Sequence, residues 1–250
     1  MGRLEGRHVL VSGGNTGIGE AIAARLAAEG ANLTLVARDR VRLEEVAARV
    51  GGRTAVLDIR DRTAVTTAVD AAVAELGPLY ALVANAGIGG PNEPGPEDRF
   101  DDLVATNLIG TYSCCRAAEP QLEDGGRIVV TASILARIGV AGYTGYCASK
   151  AGLLGLVRAL AAELASRRIA VNAICPGWVD TEMSRAGFET FAAEIGGTPD
   201  EAHDEAMEAV PFGRMAQPEE IAGTVAWLLS DDARWLTGQA IDHNGGAWMG

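Results

Sequence analysis

Tyr146 and Lys150 stand four residues apart in "GYCASKAGLLGLVRALAAE", where apolar spacing predicts a helix near 145–166. At that spacing both side chains leave one face of the helix, about 6 Å apart along its axis. A phenol of pKa about 10 is a poor acid–base catalyst at neutral pH, and a nearby ammonium favours phenolate and moves it toward the working range. Ser133 ends the preceding strand pattern, "RIVVTAS" (127–133), so its hydroxyl falls at the sheet's carboxyl edge, where it could hold a carbonyl oxygen beside Tyr146. Tyr143 has Cys147 four residues on in place of lysine and is the weaker candidate. A Tyr-x-x-x-Lys pair alone occurs by chance in many helices as a surface pair.

A second stretch, "SGGNTGIGEAIAARL" (12–26), follows the apolar run "HVLVS". Gly13, Gly14, Gly17 and Gly19 lack Cβ atoms, so the backbone there can take φ > 0 and approach a ligand closely. The helix that follows, near 17–29, points unpaired N–H groups and its positive dipole end at the turn, which suits a phosphate. A tight turn packed under a neighbouring strand would need the same glycines.

The elements that must position these groups alternate steadily. Strand patterns at 8–12, 32–37, 54–58, 80–84, 127–133, 169–175 and 239–243 are separated by helical patterns near 17–29, 39–50, 61–76, 100–119, 145–166 and 218–229. Runs apolar on both faces and joined by crossover helices predict an α/β fold: a single doubly wound parallel sheet of about seven strands, with ligands at the strands' carboxyl ends. No linker or repeat divides the chain, so residues 1–250 read as one domain. The exception to the alternation is a long irregular segment at about 180–218, which reads as a substrate lid. Its stretch "PDEAHDEAME" (199–208) is acidic and helix-prone, and Phe188, Phe191, Met207 and Phe212 supply scattered apolar contacts.

Bulk composition narrows the function. The formal charge of −12 argues against nucleic acid or an anionic membrane as partner. The N-terminus runs straight into the first strand with no signal-peptide pattern, and no apolar run is long enough to span a bilayer, so the expected location is cytoplasmic. Cys114, Cys115, Cys147 and Cys175 show no CxxC spacing and His8, His203 and His243 lie far apart, which predicts neither metal site nor disulfide framework. The cysteines read as small apolar core residues.

Together these stretches resemble the short-chain dehydrogenase/reductase family in its form of about 250 residues, across essentially the whole chain. The family's T-G-x-x-x-G-x-G is matched by residues 12–19, its N-N-A-G by Ala84-Asn85-Ala86-Gly87, and its helix asparagine by Asn107. Its catalytic serine falls on Ser133, its Tyr-x-x-x-Lys on Tyr146 and Lys150, and its P-G followed by Thr on Pro176, Gly177 and Thr181. Three positions depart from the pattern: Ser12 replaces threonine, Ala84 replaces the first asparagine and its strand-tying amide, and Ala136 stands where glycine is frequent.

The resemblance implies a Rossmann-like fold and hydride transfer between a nicotinamide cofactor and a ketone or secondary alcohol. Ser133 would orient the substrate oxygen, Tyr146 exchange its proton, Lys150 bind the nicotinamide ribose and lower the tyrosine pKa, and Asn107 hold a water linking Lys150 to solvent. Cofactor contacts would come from Gly13, Asn15, Thr16, Gly17, Ile18, Gly19, Arg38, Asp58, Ile59, Asn85, Ala86, Gly87, Tyr146, Lys150, Pro176, Gly177, Val179 and Thr181. The family's NAD-selecting aspartate would fall on Ala37, and Arg38 beside it can bind a 2′-phosphate, so NADP(H) is favoured over NAD(H). Asp39 next to Arg38, and glycine at position 14 where many NADP enzymes of the family carry a basic residue, temper that choice. The expected assembly is a homo-oligomer, tetramer or dimer, through the helices near 100–119 and 145–166 and the C-terminal "IDHNGGAWMG".

Ile134, Leu135, Val140, Trp178 and Met183 predict a mostly apolar substrate pocket. The stretches "GIGGPNEPG" and "VPFGRMAQPEE" resemble ketoreductases of aromatic polyketide and acyl-thioester pathways, whereas the acidic lid predicts a free, neutral or weakly charged ketone or secondary alcohol over a carrier-bound acyl chain. Two other classes remain: a silent dinucleotide sensor, which needs none of the Ser-Tyr-Lys-Asn set, and an epimerase or dehydratase of the extended relatives, which carries a larger C-terminal domain.

Overall fold

The first strand, β1 (His8–Ser12), is buried along its whole length, as expected of a strand covered on both faces. The computed structural model describes residues 2–250, and six further strands follow: β2 (Asn32–Ala37), β3 (Arg53–Val56), β4 (Leu79–Ala84), β5 (Leu122–Thr131), β6 (Ala170–Pro176) and β7 (Ala240–His243). They form one parallel sheet in the order β3-β2-β1-β4-β5-β6-β7. The order reverses direction between β1 and β4, and a crevice opens there at the strands' carboxyl ends.

Successive residues of β1 feed opposite layers. Val9 and Val11 pack with Ile22 and Leu26 of α1 (Gly17–Ala28), Leu43 and Val46 of α2 (Arg40–Val50), and Ile221 and Val225 of a late helix, Pro218–Leu229. Leu10 faces the other layer, with Val65 and Val69 of α3 (Arg62–Leu76), Cys115 of a middle helix and Leu153 and Val157 of the long helix Thr144–Glu163. Cys114, Cys115 and Cys175 are buried in this second layer, as their composition suggested, and all four cysteines are free thiols.

The helical pattern near 100–119 is three pieces: α4 (Phe100–Val104), a π-helical turn (Ala105–Gly110) and α5 (Thr111–Ala118). Such wide turns cluster at functional sites, and this one carries Asn107. Gly110 lets the turn approach the loop between β3 and α3, since a Cβ there would lie 2.7 Å from the Ile59 side chain. The helix Thr144–Glu163 is α6.

Segment 180–218 is more regular than its sequence suggested. It holds α7 (Glu182–Ile195) and α8 (Pro199–Glu208), the second opened by a reciprocal Thr198–Glu201 capping box. Phe188 stacks on Trp178 with ring centroids 4.5 Å apart, and with Met207 and Val210 makes a small core of its own. Only Phe188 and Ala192 of α7 are buried, too sparse a stripe to reveal a helix by periodicity. The last helix, Pro218–Leu229, is α9. No helix among the described residues is long and apolar enough to cross a membrane.

Candidate active site

Three strand ends are clasped together above the crevice. The Ser12 hydroxyl accepts the N–H groups of Asn85 at 3.1 Å and Ala86 at 3.2 Å. The Asn85 amide donates to the Gly13 carbonyl at 3.2 Å and accepts from the Thr131 hydroxyl at 3.1 Å. The tie that Ala84 was expected to lose is therefore carried by its neighbour Asn85, while Ala84 packs in the core. Ala136 lies in a 3-10 turn (Ile134–Ala136), and no residue of that turn has positive φ, so glycine is not required there.

The glycine turn is a cradle that side chains would fill. Gly13 has φ +68° and its Cβ would sit 2.7 Å from the Ala86 Cα, and a Cβ on Gly19 would lie 1.8 Å from the Gly13 carbonyl oxygen. Thr16, which opens α1, makes no side-chain cap. The first N–H groups of α1 are left to bind a ligand anion, so the residues present fit a dinucleotide's pyrophosphate.

The cradle lines a cleft of about 1650 Å³, larger than the roughly 300–1,000 Å³ that one small ligand occupies. Every residue proposed from the sequence as a cofactor contact lines it: Gly13, Asn15, Thr16, Gly17, Ile18, Gly19, Arg38, Asp58, Ile59, Asn85, Ala86, Gly87, Tyr146, Lys150, Pro176, Gly177, Val179 and Thr181. Ser133 lines it too, while Asn107 stands just behind the wall, fully buried.

Tyr146, half-buried in the first turn of α6, and Lys150, buried one turn later, share one face as their spacing predicted. The Lys150 ammonium donates to the Thr131 carbonyl at 2.9 Å and lies 5.7 Å from the centre of the Tyr146 ring. Ser133 lies two residues past the end of β5, not on it, and its hydroxyl accepts the Leu135 N–H at 3.1 Å. Burial pushes the Tyr146 phenol above its ordinary range, with the Ser133 hydroxyl opposing. Burial also lowers Lys150 to about 8. The expected lowering of the phenol by its lysine is thus absent, because the ammonium is directed at the Thr131 carbonyl and desolvation dominates both groups.

Asn107 acts as a clamp. Its oxygen accepts the Ile88 N–H at 2.8 Å, and its amide donates to the Ile88 carbonyl at 3.0 Å and to the Ser149 hydroxyl at 3.2 Å. Its side-chain donors are all engaged. The neighbouring Thr106 lines the cleft, and its buried hydroxyl has no hydrogen-bond partner among the described residues. Only adjacency to Asn107 could have pointed to Thr106 in the sequence.

At the far end of the cleft, Arg38 is 60 % exposed and its guanidinium lies 3.9 Å from Asp58. Asp58 is held mainly by Arg60, at 2.6 Å, which lowers its pKa; Arg60 also reaches Asp102 at 2.8 Å. Arg42 lines the same end and pairs with Glu182 of α7 at 2.8 Å, a contact between residues 140 apart in sequence. Pairing across that distance leaves no local signal for Arg42 in the sequence.

The opposite end is apolar, with Ile134, Leu135, Val140, Trp178 and Met183 all on the wall as expected. Of the acidic residues of 189–208, Glu194 and Glu205 line the cleft, whereas Glu189, Asp200, Glu201, Asp204 and Glu208 do not; Glu182, at the start of α7, lines it as well. Tyr143 lines it as well, its phenol pushed up by burial first and Glu194 second. Among the described residues no group of three His, Cys, Asp or Glu is placed to hold a metal ion.

Comparison with known proteins places this geometry. A family model described as enoyl-(acyl carrier protein) reductase matches residues 13–247. The chain is 35% identical to the 3-oxoacyl-(acyl-carrier-protein) reductase FabG of Staphylococcus aureus, over 97% of this chain and 98% of that one. Among solved structures, a short-chain dehydrogenase/reductase, glucose/ribitol dehydrogenase, from Brucella melitensis superposes with TM-score 0.91 at 32% identity, covering 100% of both chains. A levodione reductase does so with TM-score 0.91 at 34% identity, covering 97% of this chain and 98% of that one.

Proposed function

The chain belongs to the short-chain dehydrogenase/reductase family, and on that premise we propose that it transfers a hydride between NADP(H) and a free ketone or secondary alcohol. It is an oxidoreductase acting on CH–OH/C=O groups. The observation that carries the finer reading is that Ser133, Tyr146 and Lys150 line the same cleft as the glycine cradle.

The nicotinamide cofactor supplies the hydride. The protein supplies position and a proton. In this reading the cradle at 13–19 holds the pyrophosphate, and Pro176, Gly177, Val179 and Thr181 close over the nicotinamide end. Lys150 binds the ribose, and Ser133 orients the substrate oxygen. Tyr146 donates its phenolic proton to that oxygen; a phenol pushed up by burial is held in the protonated form that reduction needs. Asn107 fixes the loop after β4 against α6 through Ile88 and Ser149. Arg38, with Arg42 beside it, favours the 2′-phosphate of NADP(H) because Arg60 already occupies Asp58.

The names of the relatives favour a second reading, reduction of a 3-oxoacyl thioester on a carrier. The exposed residues Glu194 and Glu205, which line the cleft, favour a neutral or weakly charged free substrate over one that brings phosphates or an acidic carrier to the cleft. Both readings place the enzyme in the cytoplasm as a homo-oligomer, for which exposed Ile109 and Trp235 offer apolar surface. The test is a steady-state screen of ketones and alcohols with NADPH and NADH. Turnover of free ketones with NADPH is expected, and a complete lack of turnover would leave the sensor reading in its place.

A further inference from the structure

The turn that carries Ser133 is tied down from its far side by one side chain. Past β5 the chain folds into the 3-10 turn Ile134–Ala136, and the Arg137 N–H donates to the Ile134 carbonyl at 2.8 Å. The Arg137 side chain then crosses to the last strand. Its Nε donates to Oδ1 of Asp242 at 3.1 Å, and its Nη2 donates to Oδ2 of Asp242 at 3.3 Å and to the Ala240 carbonyl at 3.0 Å. The two side chains are 22% and 23% exposed, and no other ion pair among the described residues has both partners so covered. The guanidinium also stacks over Trp248, 5.0 Å from the ring centre.

This strap adjoins the catalytic groups without reaching the cleft. Asp242 pairs in register with Cys175 of β6. The Cys175 thiol is pushed up to about 11, by burial first and then by Asp242, with Arg137, the Ser133 backbone and Lys150 opposing. Neither Arg137 nor Asp242 lines the cleft.

We propose that Arg137 is a positioning residue: by clamping the 134–137 turn to Asp242 and to the Ala240 carbonyl, it holds the Ser133 hydroxyl where it meets the substrate oxygen beside Tyr146. The inference rests on the role proposed for Ser133. A displacement of about 1 Å in a group that orients substrate can cost on the order of a hundredfold in rate, and a covered bidentate pair resists such a displacement better than an exposed one.

The experiment compares Arg137→Met, Arg137→Lys and Asp242→Asn, in the wild-type and Ser133→Ala backgrounds, with a ketone and NADPH. Arg137→Met should lower kcat roughly ten- to a hundredfold with the KM for NADPH little changed, and Arg137→Lys should recover part of the loss. In the Ser133→Ala background the same change should cost no more than about twofold, because residues that act through one another are not additive. An equal loss in both backgrounds would mean a general structural role and overturn the proposal, as would an unchanged kcat in the wild-type background. If Arg137→Met does not fold, Asp242→Asn cuts the same strap from its other end and carries the same comparison. A fully active Ser133→Ala enzyme would sink the role of Ser133 and the strap with it, whereas an inactive Ser133→Ala combined with equal losses would sink only the strap.

Discussion

Removing both guanidinia proposed to meet the 2′-phosphate, by Arg38→Ala with Arg42→Ala, should erode discrimination between NADPH and NADH. A charge-assisted hydrogen bond in a protected site contributes about 1.5–3 kcal/mol. Arg38 is 60 % exposed and Arg42 47 %, and screening by solvent brings each such pair to about 1 kcal/mol or less. Arg42 must also leave Glu182 to reach a phosphate. The two together then supply about 1–2 kcal/mol, or roughly five- to thirtyfold in preference. The assay is kcat/KM for each cofactor with one ketone, at low and high salt. The double variant should lose its preference mainly through a higher KM for NADPH, the KM for NADH should barely move, and the wild-type preference should shrink as salt rises. Glu182→Gln, which frees Arg42 without removing it, should keep or increase the preference. A wild-type enzyme that prefers NADH, or a double variant with unchanged preference, would refute the reasoning.

The pH profile of reduction should follow Lys150. Its ammonium, lowered to about 8 by burial, is charged below that pH and neutral above it, so ketone reduction should hold at lower pH and decline above pH about 8; a flat profile from pH 7 to about 10 would contradict this assignment. Gly19→Ala should abolish dinucleotide binding measured by fluorescence titration, because its Cβ would lie 1.8 Å from the Gly13 carbonyl oxygen, and undiminished binding would show that the cradle holds no cofactor. A β-ketoacyl-CoA should be a poorer substrate than a short uncharged β-ketoester, most clearly at low salt, and Glu194→Gln with Glu205→Gln should narrow the gap. A strong thioester preference at low salt would favour the carrier-bound reading.

What the sequence disclosed depended on how local each signal was. The seven strands and the helices of both layers were legible because Val9, Leu10 and Val11 repeat a buried pattern and the crossovers keep helical spacing. Tyr146 and Lys150 were legible because a four-residue step on one helix fixes their shared face. Helix α7 was not, since its two buried side chains do not make a stripe. Nor was it legible which of the seven acidic residues of 189–208 line the cleft, since that depends on how α7 and α8 pack, with Phe188 stacked on Trp178. The π turn around Asn107 and the pairs Arg42–Glu182 and Arg137–Asp242 are products of tertiary packing. The Tyr146 phenol was expected to shift down, because spacing shows a neighbouring charge but not the desolvation that outweighs it.

The central claim is that Tyr146 delivers the proton that accompanies hydride transfer, and replacing only its hydroxyl tests this most directly. Turnover of a ketone with NADPH should be measured for wild type, Tyr146→Phe and Tyr143→Phe, alongside NADPH binding by fluorescence titration. A general acid contributes roughly 10²–10⁴-fold, so Tyr146→Phe should lose at least two orders of magnitude in kcat while its NADPH affinity stays close to wild type. Tyr143, which lines the cleft but has no lysine one turn away, should matter far less. Near-full activity in Tyr146→Phe, or an equal loss in Tyr143→Phe, would contradict the account.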